Sequence, residues 1–197
     1  MQFKSFEPGI EVNGKTVNSV IDGLGQFKTL AKKLLLDAEI GKELQGEYKL
    51  DPDGWYSHDS WLTAFETLSR EIGDSMLKMI GSKIPENAEF PSGIVDLNSA
   101  IKSIDIAYHM NHRKNGVVLY NVKTGVFTEG IGHYGYEKIP GKNLIISECW
   151  NPYPCAFDLG ILTTMTKKFE PNAIIERDKS KPCRNNGADS CTYSIAW

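Results

Sequence analysis

Cysteine is scarce in this chain: there are four in 197 residues, and all lie at or beyond position 149. That excludes a small secreted scaffold stapled throughout by disulfides. There is no excess of basic charge. Lys+Arg is 22 against Asp+Glu 25, a net −3, and a protein that lives on nucleic-acid phosphates carries the opposite balance. No apolar run approaches the roughly 20 residues of a membrane-spanning helix. The first residues, Met1-Gln2-Phe3-Lys4-Ser5-Phe6-Glu7-Pro8, lack the apolar core of a signal peptide, so a cytoplasmic protein is expected. The phosphate-binding loop, the serine elbow and the zinc-protease helix motif are absent. No paired carboxylates or nucleophile–base couple stand out, and the reading leans away from an enzyme.

What the chain does have is globular. Hydrophobic residues make up 41% and charged residues 24%, which excludes wholesale disorder. Residues 1–14 read as an N-terminal arm and 15–197 as a single domain. Val17, Val20, Ile21 and Leu24, then Phe27, Leu30, Ala31, Leu34 and Leu35, fall at helical spacing. These two runs offer more apolar surface than one small sheet needs, which predicts a homodimer paired through the N-terminal helices. Trp61, Phe65, Leu68, Ile72, Met76 and Met79 predict a long helix, or two joined near Gly73, ending at Gly81 and Pro85. Ile94 to Tyr108 predicts another helix.

From Val117 the pattern changes to short β-type runs, ending in Leu144–Cys149, with turns at Lys123-Thr124-Gly125 and Pro140-Gly141-Lys142-Asn143. A helix opened by Pro154 and two further strands follow. Helices first, then antiparallel sheet with one C-terminal helix, is an α+β order.

The strongest constellation is Cys155, Cys183 and Cys191, a cysteine-rich metal knuckle. Cys155 sits in the first turn of its helix, where the helix dipole favours the thiolate that metals need. Cys183 and Cys191 flank seven residues that include Gly187 and can return both sulfurs to one point. Zinc takes four such ligands in a tetrahedron; Cys149, Glu176, Asp178 or a water could complete it. Inert buried thiols and an iron–sulfur cluster on all four cysteines are the alternatives. His109, His112 and His133 are candidates for a polar pocket wall or for haem ligation, while His58 reads as a first-turn surface residue.

Two segments resemble the 4-vinyl reductase domain family. They are Asn151-Pro152-Tyr153-Pro154-Cys155-Ala156-Phe157-Asp158-Leu159-Gly160-Ile161 and Cys183-Arg184-Asn185-Asn186-Gly187-Ala188-Asp189-Ser190-Cys191-Thr192-Tyr193. The resemblance implies a fold shared with Golgi vesicle-tethering subunits and nitric-oxide-signalling domains, with helices packed on a twisted antiparallel sheet and dimers formed through the N-terminal helices. It implies a sensor that encloses a small hydrophobic or aromatic ligand, and a structural zinc held by cysteines and one glutamate. On this chain those ligands are Cys155, Cys183 and Cys191, with Glu176 as the glutamate. The pocket then lies between the central helix and the sheet, with Trp61, Phe65, Tyr108, His109, Tyr134 and Trp150 as lining candidates, since each combines an aromatic body with, in most, a polar tip. Haem or another tetrapyrrole, in a redox protein or a reductase accessory, is the alternative occupant.

Overall fold

Asn13 and Asp96 illustrate how local chemistry starts helices here. The Asn13 side chain accepts the Lys15 backbone N–H at 2.8 Å and opens α1, Gly14–Gly23. Asp96 accepts the Ser99 N–H at 2.7 Å in a reciprocal capping box that opens α4, Leu97–Met110. The computed structural model describes residues 2–197 and adds α2 (Lys28–Asp37), α3 (His58–Asn87) and α5 (Cys155–Lys167). Within α3, Gly73 leaves helical geometry at φ 70°, ψ 172°, a conformation that side chains resist, so the element is two helices meeting at the expected join.

α3 runs on past Gly81 and Pro85 to Asn87, beyond the predicted end. Gly81 serves packing instead. A Cβ there would stand 2.0 Å from the Phe157 carbonyl oxygen, and one at Gly160 would stand 2.1 Å from that of Lys78. The two glycines let α3 and α5 cross with their backbones in contact.

The larger sheet is antiparallel. Its long strand, Leu144–Trp150, pairs with Cys191–Ala196 on one side and with the short strands Glu137–Lys138 and His133–Tyr134 on the other; Ile174–Arg177 adds to the far edge. α5 lies against this sheet, α3 packs on α5, and α1 and α2 pack on α3. The fold is α+β, as expected. Ile10–Asn13, inside the segment read as an arm, is an inner strand of a smaller antiparallel sheet, between Trp55–Ser57 and His112–Lys114.

Val17, Val20, Ile21, Leu24 and Leu35 are all buried in the chain's own core, and Leu30 and Leu34 pack half-buried against it. The apolar surface that suggested a dimer through these helices is therefore largely used within one copy. His58 is fully buried, not a surface residue, because the N-terminal segment passes over it and Ser5 bonds its ring.

Candidate ligand chamber and metal centre

Cys155 is the first residue of α5, Cys183 precedes a single 3₁₀ turn (Arg184–Asn186), and Cys191 opens the last strand. Gly187, at φ 84°, turns the chain back between the latter two. All three thiols are free and buried, with Sγ–Sγ separations of 2.8 Å (155–191), 3.4 Å (155–183) and 3.5 Å (183–191). A tetrahedral zinc with sulfur at ~2.3 Å sets its ligands about 3.8 Å apart, so small outward shifts would admit the ion. The Arg184 backbone N–H donates to Cys191 Sγ at 3.3 Å. The contact with Cys155 and the Arg184 N–H lower the Cys191 pKa, and the same contact with burial raises that of Cys155.

Glu176 is not brought to the trio. It pairs in register with Ser194, on the opposite face of the sheet from Cys191 and Tyr193, and is exposed. Cys149 is the cross-strand neighbour of Cys191, yet its Sγ stays outside the trio and contacts Ser147 Oγ at 3.7 Å. Asp178 is engaged with Ser180. The oxygen brought to the sulfurs is Asn185 Oδ1, 3.4 Å from Cys155 Sγ and itself bonded by Gln2. A cleft bordered by Asp74, Lys78 and Arg177 opens the cluster to solvent.

A second feature lies between α4 and α5. A cavity of about 40 Å³ is bounded by Ile84, Ile104, Ala107, Phe157 and Ile161 and by Tyr108, Asn111, His112, Tyr134 and Tyr153, and its wall is almost wholly apolar. Tyr153 Oη is the hub. It accepts the Trp61 indole N–H at 3.2 Å and lies 3.2 Å from His112 Nε2 and 3.3 Å from His58 Nε2. His112 donates Nδ1–H to the Tyr108 carbonyl at 2.7 Å. Burial lowers the pKa of both histidines, that of His112 to about 4, so both are neutral at pH 7.

The chamber and the cysteines are joined. Tyr134 Oη donates to Asp158 at 2.7 Å, Asp158 pairs with Arg184, and the Arg184 backbone bonds Cys191. Arg184 also donates to the Asn151 carbonyl at 2.6 Å.

Of the residues chosen from sequence, Tyr108 and Tyr134 line this chamber. Trp61 and Phe65 stack at 5.1 Å in the adjoining core and border only a minor gap against α1 and α2. Trp150 points outward and stacks on Phe6 at 5.2 Å. His109 faces away from the chamber, toward Asp105 and His133. Tyr153, Asn111 and Phe157 were missed as lining residues. The Asn-Pro-Tyr-Pro run around Tyr153 was quoted for the family, but a tyrosine in a loop carries no periodicity that announces burial.

Haem does not fit the residues as they stand. Pockets that take molecules of drug size span roughly 300–1,000 Å³, and the chamber is filled by the Tyr108, Tyr134, Tyr153 and Phe157 rings. His112, the one histidine that lines it, has both nitrogens engaged.

No protein-family model matches the chain, and no curated protein matches it. Solved structures do. An H-NOX protein from S. oneidensis in the Fe(II)NO ligation state is 15% identical, with 93% of this chain and 97% of that one covered and a TM-score of 0.60. A structure from work on haem redox potential and porphyrin distortion is 15% identical over 94% of this chain and 99% of that one, with a TM-score of 0.59. An unliganded Fe(II) H-NOX mutant from K. algicida is 16% identical over 93% and 95%, with a TM-score of 0.53. The chain therefore has the H-NOX fold, the fold of nitric-oxide-signalling domains that the sequence led us to expect.

Proposed function

We propose that the chain is a small-molecule sensor domain of the 4-vinyl reductase type. Its chamber between α4 and α5 takes a small, largely apolar ligand bearing one polar group, and a structural zinc on Cys155, Cys183 and Cys191 ties α5 to the last strand. The observation that carries this reading is the chamber itself: almost wholly apolar walls, with the buried, unpartnered Thr16 Oγ1 belonging to a lining residue. Its present size suits a ligand of very few atoms. An aromatic ring is larger than the present cavity of about 40 Å³, so its binding requires the lining side chains to move. The fourth zinc position in this reading is a water from the cleft or Asn185 Oδ1, not Glu176. A reduced thiol trio suits a cytoplasmic protein.

Ligand contact at Tyr134 would pull on Asp158 and, through Arg184, on the loop that carries Cys183 and Cys191. That gives a physical route from chamber to surface.

Haem is the second reading, favoured by the H-NOX neighbours and opposed by the packed chamber. Two titrations of the full chain decide. Phenol and indole are expected to raise the melting temperature saturably, and Ala107→Phe, which fills the chamber, should abolish the rise. No shift with any small aromatic, or a stoichiometric Soret band on adding haemin, overturns the proposal.

A further inference from the structure

Away from the chamber, one face of α4 meets the small strand His133–Tyr134. Asp105 and His109 stand one turn apart on that helix, so their side chains share a face. One potential ligand atom from each of Asp105, His109 and His133 lies within 4.8 Å of the other two. We propose that these three residues form a binding site for a divalent first-row transition-metal ion, distinct from the cysteine trio and independent of the sensor reading.

The carboxylate is held in place. The Tyr134 backbone N–H donates to Asp105 Oδ1 at 2.9 Å, and His133 Nδ1 lies 3.0 and 3.2 Å from the two Asp105 oxygens. The His109 imidazole is anchored through one nitrogen, and the His133 imidazole is held at both. His109 donates Nδ1–H to the Asp105 backbone carbonyl at 2.9 Å, the same Nδ1 standing 3.6 Å from Asp105 Oδ1, which leaves the lone pair on Nε2. That Nε2 is buried in a fully buried residue and has no partner among the described residues. A buried acceptor without a partner is rare and calls for an explanation. His133 Nε2 lies 2.9 Å from Glu129 Oε2, the carboxylate–imidazole pairing by which ligating histidines are oriented. The metal would then take His133 from its Asp105 side.

The donor set decides the class of ion. Two imidazoles and a carboxylate suit zinc, cobalt, nickel or iron(II), whereas calcium and magnesium want oxygens throughout. Two carboxylates, Asp105 and Glu129, supply the charge a dication needs. Phe127, 4.8 Å from the His109 ring, closes one side against water, and His133, with a third of its side chain exposed, leaves a way in. Three protein ligands leave a position for water. The competing state is a protonated His133 clasped between Asp105 and Glu129, with no metal.

Cobalt(II) titration of the chelator-stripped full chain separates these states. Cobalt on nitrogen and oxygen ligands gives weak visible bands, and cobalt on thiolates adds intense near-ultraviolet charge transfer. The expected result is a weak-band site that survives Cys183→Ser. His133→Gln and Asp105→Asn should weaken it at least tenfold, and Glu129→Gln by about 10–100-fold, the usual effect of removing an orienting partner. His133 is partly exposed, so its variant should fold; a melting curve checks that. If every cobalt band disappears with Cys183→Ser, or if folded His133→Gln binds cobalt as tightly as the parent, the proposal is wrong.

Discussion

Asp158 and Arg184 form an ion pair in which both side chains are wholly shielded from solvent. Tyr134 and Asn151 bond the same carboxylate and guanidinium, so nearly every polar atom of the pair is engaged; Arg184 Nε is the exception. Removing one partner leaves the other charge buried and uncompensated, at a cost of about 3–5 kcal/mol. Asp158→Ala and Arg184→Met are each expected to lower stability by that much in urea denaturation. The double variant should lose clearly less than the sum of the two, since neither charge then remains.

Metal at the cysteine trio should respond unequally to the four thiols. Cys155→Ser, Cys183→Ser and Cys191→Ser are each expected to lower zinc content by one equivalent and to destabilise by several kcal/mol, because binding energy at a structural zinc is also folding energy. Cys149→Ser should keep the zinc and cost about 1–2 kcal/mol, since its sulfur lies outside the trio in a buried position. Elemental analysis and melting curves of the four variants check this. Loss of zinc from Cys149→Ser alone would overturn the ligand assignment.

The cysteine trio was legible because thiols are few and their positions suggested it: a helix start after Pro154 and a seven-residue return through Gly187. The α+β order was legible because helical and alternating spacings are segregated along the chain. Glu176 could not be placed that way. Which face of a strand a residue occupies depends on register, and pairing with Ser194 turns it outward. His58 and Tyr153 escaped for a related reason. Each is buried by segments remote in sequence, Ser5 over His58 and Trp61 against Tyr153, and one-dimensional periodicity is blind to such contacts.

Acid should destabilise the fold well above the carboxylate range. Burial lowers the His112 pKa to about 4 from the ordinary 6.5, and His58 shifts the same way. A depressed folded pKa means that the unfolded chain binds more protons between those values. The contribution is therefore full above pH 6.5 and is lost as pH falls toward 4. For His112 alone this amounts to about 2 kcal/mol between pH 6.5 and 5, at ~1.4 kcal/mol per pH unit. His133 opposes it: burial lowers its pKa, but Asp105 and Glu129 outweigh that and raise it. Urea midpoints at pH 7 and 5 should differ in favour of pH 7, and His112→Gln should shrink the difference. A flat profile in the parent would contradict the buried neutral pair.

The crossing of α3 and α5 should be intolerant of a single methyl group. At Gly160 a Cβ would meet the Lys78 carbonyl oxygen at 2.1 Å and the Ser82 nitrogen at 2.8 Å. Both are backbone atoms, so no side-chain rotation relieves the contact, and the helices must separate. Alanine normally favours a helix over glycine by about 1 kcal/mol, so propensity alone predicts that Gly160→Ala stabilises. Overpacking of a tight contact costs roughly 1–3 kcal/mol or more, and here it should win. Gly81→Ala meets the Phe157 carbonyl in the same way. Gly73→Ala tests a different constraint, for nothing lies within 4 Å of its Cβ but its φ is 70°. Urea denaturation should therefore rank Gly160→Ala and Gly81→Ala as the costlier changes. Because Phe157 and Ile161 on α5 border the chamber, those two variants should also lose the thermal shift with phenol or indole, whereas Gly73→Ala keeps it.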